Sequence, residues 1–185
     1  YSTVNLTLTN NTASTDLPLI ATLTGPGVII SWTINASLPS GLTFGTNNGT
    51  IYGTPTELWN QTSYMIRLSN SGGSSMAYLN ITVNDQVPTL SYSPENFTLT
   101  KNQTNSDIPL NATLTGPGAI ISWAISPALP SGLTFGTSNG TIWGTPTALR
   151  SIRTYTIWAN NTGGSTSATV NITVNDELPN ISYSP

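Results

Sequence analysis

The sequence predicts an all-β protein built as two tandem β-sandwiches of about seven strands each. Three observations carry that prediction. A long unit occurs twice, apolar residues alternate with polar ones over short runs, and turn-forming residues interrupt those runs every ~8–12 residues. No stretch shows the 3.6-residue period of an amphipathic helix.

The repeat is gapless. ATLTGPGVIISWTI at 21–34 returns as ATLTGPGAIISWAI at 112–125, and LPSGLTFGTNNGTIYGTPT at 38–56 returns as LPSGLTFGTSNGTIWGTPT at 129–147. Each offset is 91 (112 minus 21, 129 minus 38), and 55 of the 91 aligned positions are identical. Two copies occupy 182 of the 185 residues, and the closing Tyr183-Ser184-Pro185 matches Tyr92-Ser93-Pro94. The expected organisation is repeat 1 at 1–87, repeat 2 at 88–178, and the start of a further linker or repeat at 179–185. A chain that opens on Tyr1 in phase with its repeat reads as a processed or excerpted section of a longer array.

Within a copy, Leu6 and Leu8 alternate with Asn5, Thr7 and Thr9, the pattern of a half-buried edge strand. Leu19, Ala21 and Leu23 alternate likewise and stop at the breaker Gly25-Pro26-Gly27. The run from Val28 to Ile34 is apolar and β-branched, so it is expected to be a central strand, with Trp32 (Trp123 in copy two) filling the inter-sheet core. Asn48-Gly49 lies between Leu42/Phe44 and Ile51, where positive φ is tolerated, predicting a tight hairpin. Tyr64, Ile66 and Leu68 mark the next strand, which ends at Ser71-Gly72-Gly73. In the last strand Ala77, Leu79, Ile81 and Val83 point inward and Tyr78, Asn80 and Thr82 outward.

Composition excludes whole classes of function. Only 4 basic and 7 acidic residues are present, with no Cys and no His. Disulfides, Cys/His zinc sites, thiol nucleophiles and imidazole bases are therefore absent from the chemistry. Four dispersed cations make no basic stripe for nucleic acid, and no apolar run approaches the ~18 residues of a membrane span. Thr, Asn and Ser supply 74 residues. Ser and Thr are abundant but lack a histidine partner, and Asp16, Asp85, Asp107 and Asp176 are repeat-equivalent turn residues, so no enzyme is expected. Lys101 is the only lysine and its counterpart is Asn10, which excludes a repeated isopeptide cross-link. With so few carboxylates, little protonation-linked unfolding is expected between about pH 2 and 7.

The ordered motifs Trp32, Leu38-Pro39-Ser40-Gly41-Leu42-Thr43-Phe44, Gly49-Thr50-Ile51-Tyr52-Gly53-Thr54-Pro55, Tyr64, Asn70-Ser71-Gly72-Gly73 and Val83-Asn84-Asp85 recur from Trp123 to Asp176. In this order they resemble the He-PIG family of immunoglobulin-like domains, close to dystroglycan-type cadherin-like repeats. The resemblance covers nearly the whole chain. It implies immunoglobulin-like sandwiches, arrayed as extracellular or cell-surface modules of long prokaryotic proteins, with no catalytic activity of their own.

Asn-x-Ser/Thr occurs thirteen times, at Asn5, Asn10, Asn35, Asn48, Asn60, Asn80, Asn96, Asn102, Asn111, Asn139, Asn160, Asn171 and Asn180. With 20 Asn and 54 Ser plus Thr, chance gives about six. Duplication accounts for three pairs (Asn5/Asn96, Asn48/Asn139, Asn80/Asn171) and leaves seven sites without a counterpart. Dense N-glycosylation is expected, replacing charge as the source of solubility.

Asp85 and Asp176 sit in Val-Asn-Asp-x-x-Pro linkers reminiscent of calcium-binding cadherin junctions. Calcium needs six to eight oxygens, and one junction offers only Asp85 and Glu95, with Glu57 or Asp107 in support. The alternative is that each Asp fixes a strand-to-linker turn. Trp59, Trp143 and Trp158, with Tyr52, align with polar or amphipathic counterparts and are expected to be partly exposed, as strand-surface aromatics or as a platform for sugars or proteins.

These readings converge on a non-catalytic structural module of an extracellular repeat protein, a stalk, adhesin or filament subunit. Each module would be a spacer of about 35–45 Å. Its partners would be neighbouring copies or adjacent repeats, and head-to-tail strand addition would use segment 1–9 as donor. The alternative is a carbohydrate- or protein-binding adhesion module.

Overall fold

The computed structural model describes residues 3–25, 27–105, 108–116 and 118–183, so Tyr1, Pro26, Asp107 and the closing Ser184-Pro185 lie outside the described residues. The chain separates into two compact units, Tyr1–Gln86 and Val87–Pro185. Both are all-β.

In unit 1 the strands are β1 (Val4–Thr9), β2 (Ser31–Ile34), β3 (Leu42–Phe44), β4 (Ile51–Gly53), β5 (Trp59–Asn70) and β6 (Gly73–Asn84). A four-stranded sheet has the order β1-β6-β5-β2, and β3-β4 forms a separate hairpin. The outermost pair is parallel: Leu6 lies opposite Ile81 and Leu8 opposite Val83. Parallel pairing places the inward residues of the first and last strands side by side. Leu6, Leu8, Tyr64, Leu79, Ile81 and Val83 bury together with Ile51 of the hairpin. Each such side chain, removed from water, contributes about 1.5–3 kcal/mol.

Unit 2 contains β7 (Thr89–Ser91), β8 (Asn96–Thr100), β9 (Thr113–Thr115), β10 (Ser122–Ser126), β11 (Leu133–Phe135), β12 (Ile142–Gly144), β13 (Arg150–Asn161) and β14 (Gly164–Asn175). Its four-stranded sheet, β10-β13-β14-β8, and its hairpin β11-β12 repeat unit 1, and β7-β9 is an additional two-stranded sheet.

The structure corrects five expectations. The run from Val28 to Ile34 is not a central strand. Only Ser31–Ile34 pairs, at the sheet edge, and Val28 and Ile30 are 87% and 70% exposed. Among the described residues Leu19, Ala21 and Leu23 make a single bridge, Leu19 to Ile51, whereas Thr113–Thr115, equivalent to residues 22–24, pairs with β7. Asn48-Gly49 is not a two-residue hairpin turn. The loop spans 45–50 and is closed by Gly49 N–H donating to the Gly45 carbonyl at 2.7 Å and Gly45 N–H to the Thr50 carbonyl at 2.7 Å. Ala77 is exposed, since the packed part of β6 begins at Leu79. Finally, the described part of segment 1–9 that forms a strand, Val4–Thr9, pairs with β6 of its own unit and is committed within its sandwich, so it is not free as a donor for a neighbour.

The repeated glycine motifs have steric causes. A Cβ on Gly49 would lie 2.5 Å from the ring of Trp32, and one on Gly140 2.4 Å from Trp123. Both glycines also adopt left-handed φ, +69° and +70°. Each indole is thus buried flat beneath the loop glycine.

Candidate functional site: acceptor asparagines and exposed aromatics

The sequon asparagines divide by what their side chains already do. Alternation along β1 and β6 sets Asn5 and Asn80 side by side on the outer face, and β8 and β14 do the same for Asn96 and Asn171. Asn80 Nδ2 donates to Asn5 Oδ1 at 2.8 Å, and Asn171 Nδ2 to Asn96 Oδ1 at 2.9 Å. The ladder continues one strand further. Ser63 Oγ donates to Asn80 Oδ1, and Thr154 Oγ1 to Asn171 Oδ1 at 2.6 Å. Three strands of each sheet are therefore tied by a polar row on the solvent face.

The third duplicated pair is also structural. Asn48 Oδ1 accepts from Thr50 N–H and Asn139 Oδ1 from Thr141 N–H, both at 3.1 Å, holding the loop over the buried Trp. All three pairs shared by the copies thus coincide with a hydrogen bond that the fold uses.

The unpaired sites differ among themselves. Asn35, Asn60, Asn102, Asn111 and Asn180 are exposed. Asn35 and Asn111 use only Oδ1, accepting from Met65 N–H at 2.8 Å and from the Thr141 hydroxyl at 3.3 Å. Asn10 is half-buried with its Oδ1 sealed from solvent, and Asn160 Nδ2 donates to Ser122 Oγ at 3.1 Å. An N-linked glycan is attached through Nδ2, so Asn80, Asn171 and Asn160, whose Nδ2 is engaged, and Asn10 are the sites least disposed to carry one.

The carboxylates named for calcium are dispersed into other contacts. Asp85 is buried at the end of β6, while Asp176 is exposed and lies 3.8 Å from Lys101 Nζ. Glu57 Oε1 accepts from Ser40 N–H at 2.6 Å, which holds its carboxyl below the usual glutamate range. Glu95 is exposed, and Asp107 lies outside the described residues. Among the described residues no group of three or more Asp and Glu side chains is placed to hold a metal ion.

The aromatics stand on separate elements. Trp59 is half-buried against the unit 1 core. Trp143, 42% exposed, faces Thr134 across the β11-β12 hairpin, as Tyr52, 48% exposed, faces Thr43 across β3-β4. Trp158 is half-buried on β13 between Ala124 and Ser167. Tyr52 and Trp59 thus belong to different elements of unit 1, and Trp143 and Trp158 to different elements of unit 2.

Sequence reasoning missed the polar ladder and the packing of segment 89–92. Both left a signal. Outward Asn recurred on two strands of each copy, and Leu90-Ser91-Tyr92 reappears as Ile181-Ser182-Tyr183. Leu90 and Tyr92 are buried in the unit 2 core, and the Tyr92 hydroxyl donates to the Gly140 carbonyl at 2.7 Å. Burial pushes that phenol far above its ordinary pKa, so it stays a donor.

Comparison with known proteins adds the family. The family described as "Putative Ig domain" (He-PIG) matches residues 1–84 and 87–175. Among curated proteins, "Serine-rich adhesin for platelets" from Staphylococcus aureus strain MRSA252 is 30% identical over 162 residues, covering 82% of this chain and 11% of the adhesin. The protein of the same name from strain USA300 is 31% identical over 140 residues, covering 70% of this chain and 6% of the adhesin. The chain therefore spans only a small part of these relatives. Among solved structures, Drosophila N-cadherin EC1-3 superposes with a TM-score of 0.55 at 16% identity, over 97% of this chain and 65% of that one, a likeness of fold.

Proposed function

We propose, for a chain that belongs to the Putative Ig domain (He-PIG) family, that its two immunoglobulin-like sandwiches serve as a non-catalytic structural section of an adhesion-type protein at the cell surface. Family membership and the adhesin relatives point to a structural module without enzymatic activity. No helix among the described residues is long and apolar enough to cross a membrane. The observation that carries the reading is the repeated outer face. Both copies keep the same polar row while presenting Asn, Thr and Ser in place of charge.

On this reading the exposed sequons carry N-linked glycans. Asn5, Asn35, Asn48, Asn60, Asn96, Asn102, Asn111, Asn139 and Asn180, all exposed residues, are the acceptors, whereas Asn10, Asn80, Asn160 and Asn171 stay bare. Glycopeptide mapping of material from the native host tests this together with protease shaving of intact cells. The expected result is release by shaving and glycan mass confined to the first set. Unmodified peptides throughout would remove the glycan reading. A chain protected until lysis would remove the surface reading.

A second reading, a module that binds carbohydrate or protein, is favoured by one observation. Tyr52 and Trp143 are exposed at equivalent positions of the two hairpins. If it holds, Tyr52→Ala combined with Trp143→Ala abolishes binding to a glycan array while leaving the melting temperature in place.

A further inference from the structure

One exposed aromatic position recurs in both units, and it stands beside a sequon. Among the tyrosines and tryptophans that a strand leaves at least partly exposed, Trp59 aligns with Arg150, Trp158 with Arg67 and Tyr78 with Thr169. Tyr52 and Trp143 alone align with each other, so the position stays aromatic while the residue itself changes. It follows an acceptor asparagine at the same distance in each copy. Asn48-Gly49-Thr50-Ile51-Tyr52 returns as Asn139-Gly140-Thr141-Ile142-Trp143.

The loop between them fixes how the two side chains stand. In unit 2 Gly136 N–H donates to the Thr141 carbonyl at 2.7 Å and Gly140 N–H to the Gly136 carbonyl at 2.8 Å, which closes residues 136–141. Asn139 Oδ1 accepts from Thr141 N–H, so the amide that carries Nδ2 is oriented by the backbone. A Cβ added to Gly136 would lie 2.2 Å from that Oδ1 and 2.9 Å from Trp143 Cζ3, so amide and indole edge stand within about 5 Å of each other. Gly136 does not adopt left-handed φ, and what its missing side chain provides is this space. In unit 1 the matching point on Gly45 lies 2.5 Å from Asn48 Oδ1, with the smaller Tyr52 ring farther off.

We propose that Trp143 is the seat of the glycan on Asn139: where that sequon carries the N-linked chain read for it above, the first pyranose rings lie against the indole. The chemistry matches. One face of a pyranose carries mainly C–H bonds, whose hydrogens are attracted to the negative face of an aromatic ring, and the contact takes apolar surface of both out of water. The sugar hydroxyls stay on the far side, in solvent. Tyr52 serves Asn48 in the same way, with a smaller ring across a wider gap. The platform is thus filled from within the chain, unlike the external ligand of the second reading.

Hydroxyl-radical footprinting with residue resolution tests this on the full chain from its native host, compared with Thr141→Ala from the same host. That substitution destroys the sequon but keeps the bond to Asn139 Oδ1, which comes from the backbone N–H, and gives up only the hydroxyl bond of 3.3 Å to Asn111. Glycopeptide mapping is expected to find Asn139 occupied in the first chain and bare in the second. Trp143 is expected to oxidise about threefold to tenfold more slowly in the first, as an aromatic contact of this kind protects, with Trp59 and Trp158 unchanged. Trp143→Ala in both backgrounds closes a cycle. The glycan is expected to raise the folded-to-unfolded ratio of unit 2 about threefold to tenfold with Trp143 present and to leave it unchanged with alanine. An occupied Asn139 with Trp143 oxidised equally fast in both chains, or an equal gain from the glycan with and without Trp143, would overturn the proposal and leave the glycan reading standing. A bare Asn139 in native material would remove both at this site.

Discussion

Unit 1 and unit 2 share 55 of 91 aligned residues and the same sheet order, yet their cores are closed to different degrees. Leu90 and Tyr92 seal one end of unit 2. At the equivalent end of unit 1 the described residues Leu19, Trp32, Ile66, Leu68 and Leu79 line a cavity of about 450 Å³, and Tyr1, the counterpart of Tyr92, lies outside the described residues. The difference teaches where the structural repeat begins. Aligning the motifs places a boundary in the linker, but in unit 2 the linker residues after Pro88 are already core. A module of this kind is folded by its central residues and closed by the strand that leads into it.

The sharpest way to break the comparison is to open unit 2. Tyr92→Ala removes a buried ring and its hydroxyl, and is expected to cost unit 2 about 3–5 kcal/mol while leaving unit 1 unchanged. Calorimetry that resolves two transitions checks this, and a joint fall of both would mean that the units do not differ as described. Next in size are the loop glycines. Gly49→Ala and Gly140→Ala each drive a methyl into the indole and force a side chain into left-handed φ, at a cost of about 2–4 kcal/mol. Because the two indole contacts are nearly identical, at 2.5 and 2.4 Å, the losses are expected to match within about 1 kcal/mol. Unequal losses would show that β7 stiffens the loop above Trp123.

A smaller effect lies on the outer faces. Asn80→Ala and Asn171→Ala each delete the middle of a polar row, and about 1 kcal/mol is expected from each in denaturant unfolding. The smallest difference concerns acid. Glu57 has Ala148 as its counterpart, so the bond to Ser40 N–H exists only in unit 1. A carboxyl held below its ordinary value of 4.5 stabilises the fold above that value, and the contribution disappears as pH falls through the folded-state pKa. Unit 1 is therefore expected to lose slightly more melting temperature than unit 2 below about pH 4.5, and Glu57→Gln to abolish the excess.

Much of this molecule was legible from its residues. Tyr64, Leu79, Ile81 and Val83 alternate as inward positions and are buried, and the Leu-Pro-Ser-Gly-Leu and Gly-Thr-Pro motifs fall at the hairpin. What failed had a common physical origin. Whether an apolar run becomes a central or an edge strand depends on which neighbours pair with it, and Val28 to Ile34 carries no mark of its pairing. The parallel pairing of Val4–Thr9 with β6 was likewise hidden, because alternation reports which face a residue occupies and not the direction of the neighbouring strand. The acceptor sites were half legible. A sequon states that attachment is chemically allowed, but the engagement of Asn80 Nδ2 with Asn5 is a tertiary fact.

The most direct test is hydrogen exchange on the full chain at low concentration, comparing the amides of Thr113–Thr115 with those of 22–24. Strong protection of the former and rapid exchange of the latter are expected. Equal protection of both segments in dilute solution would contradict the account, since it would mean that the pairing of β9 with β7 does not set the two units apart.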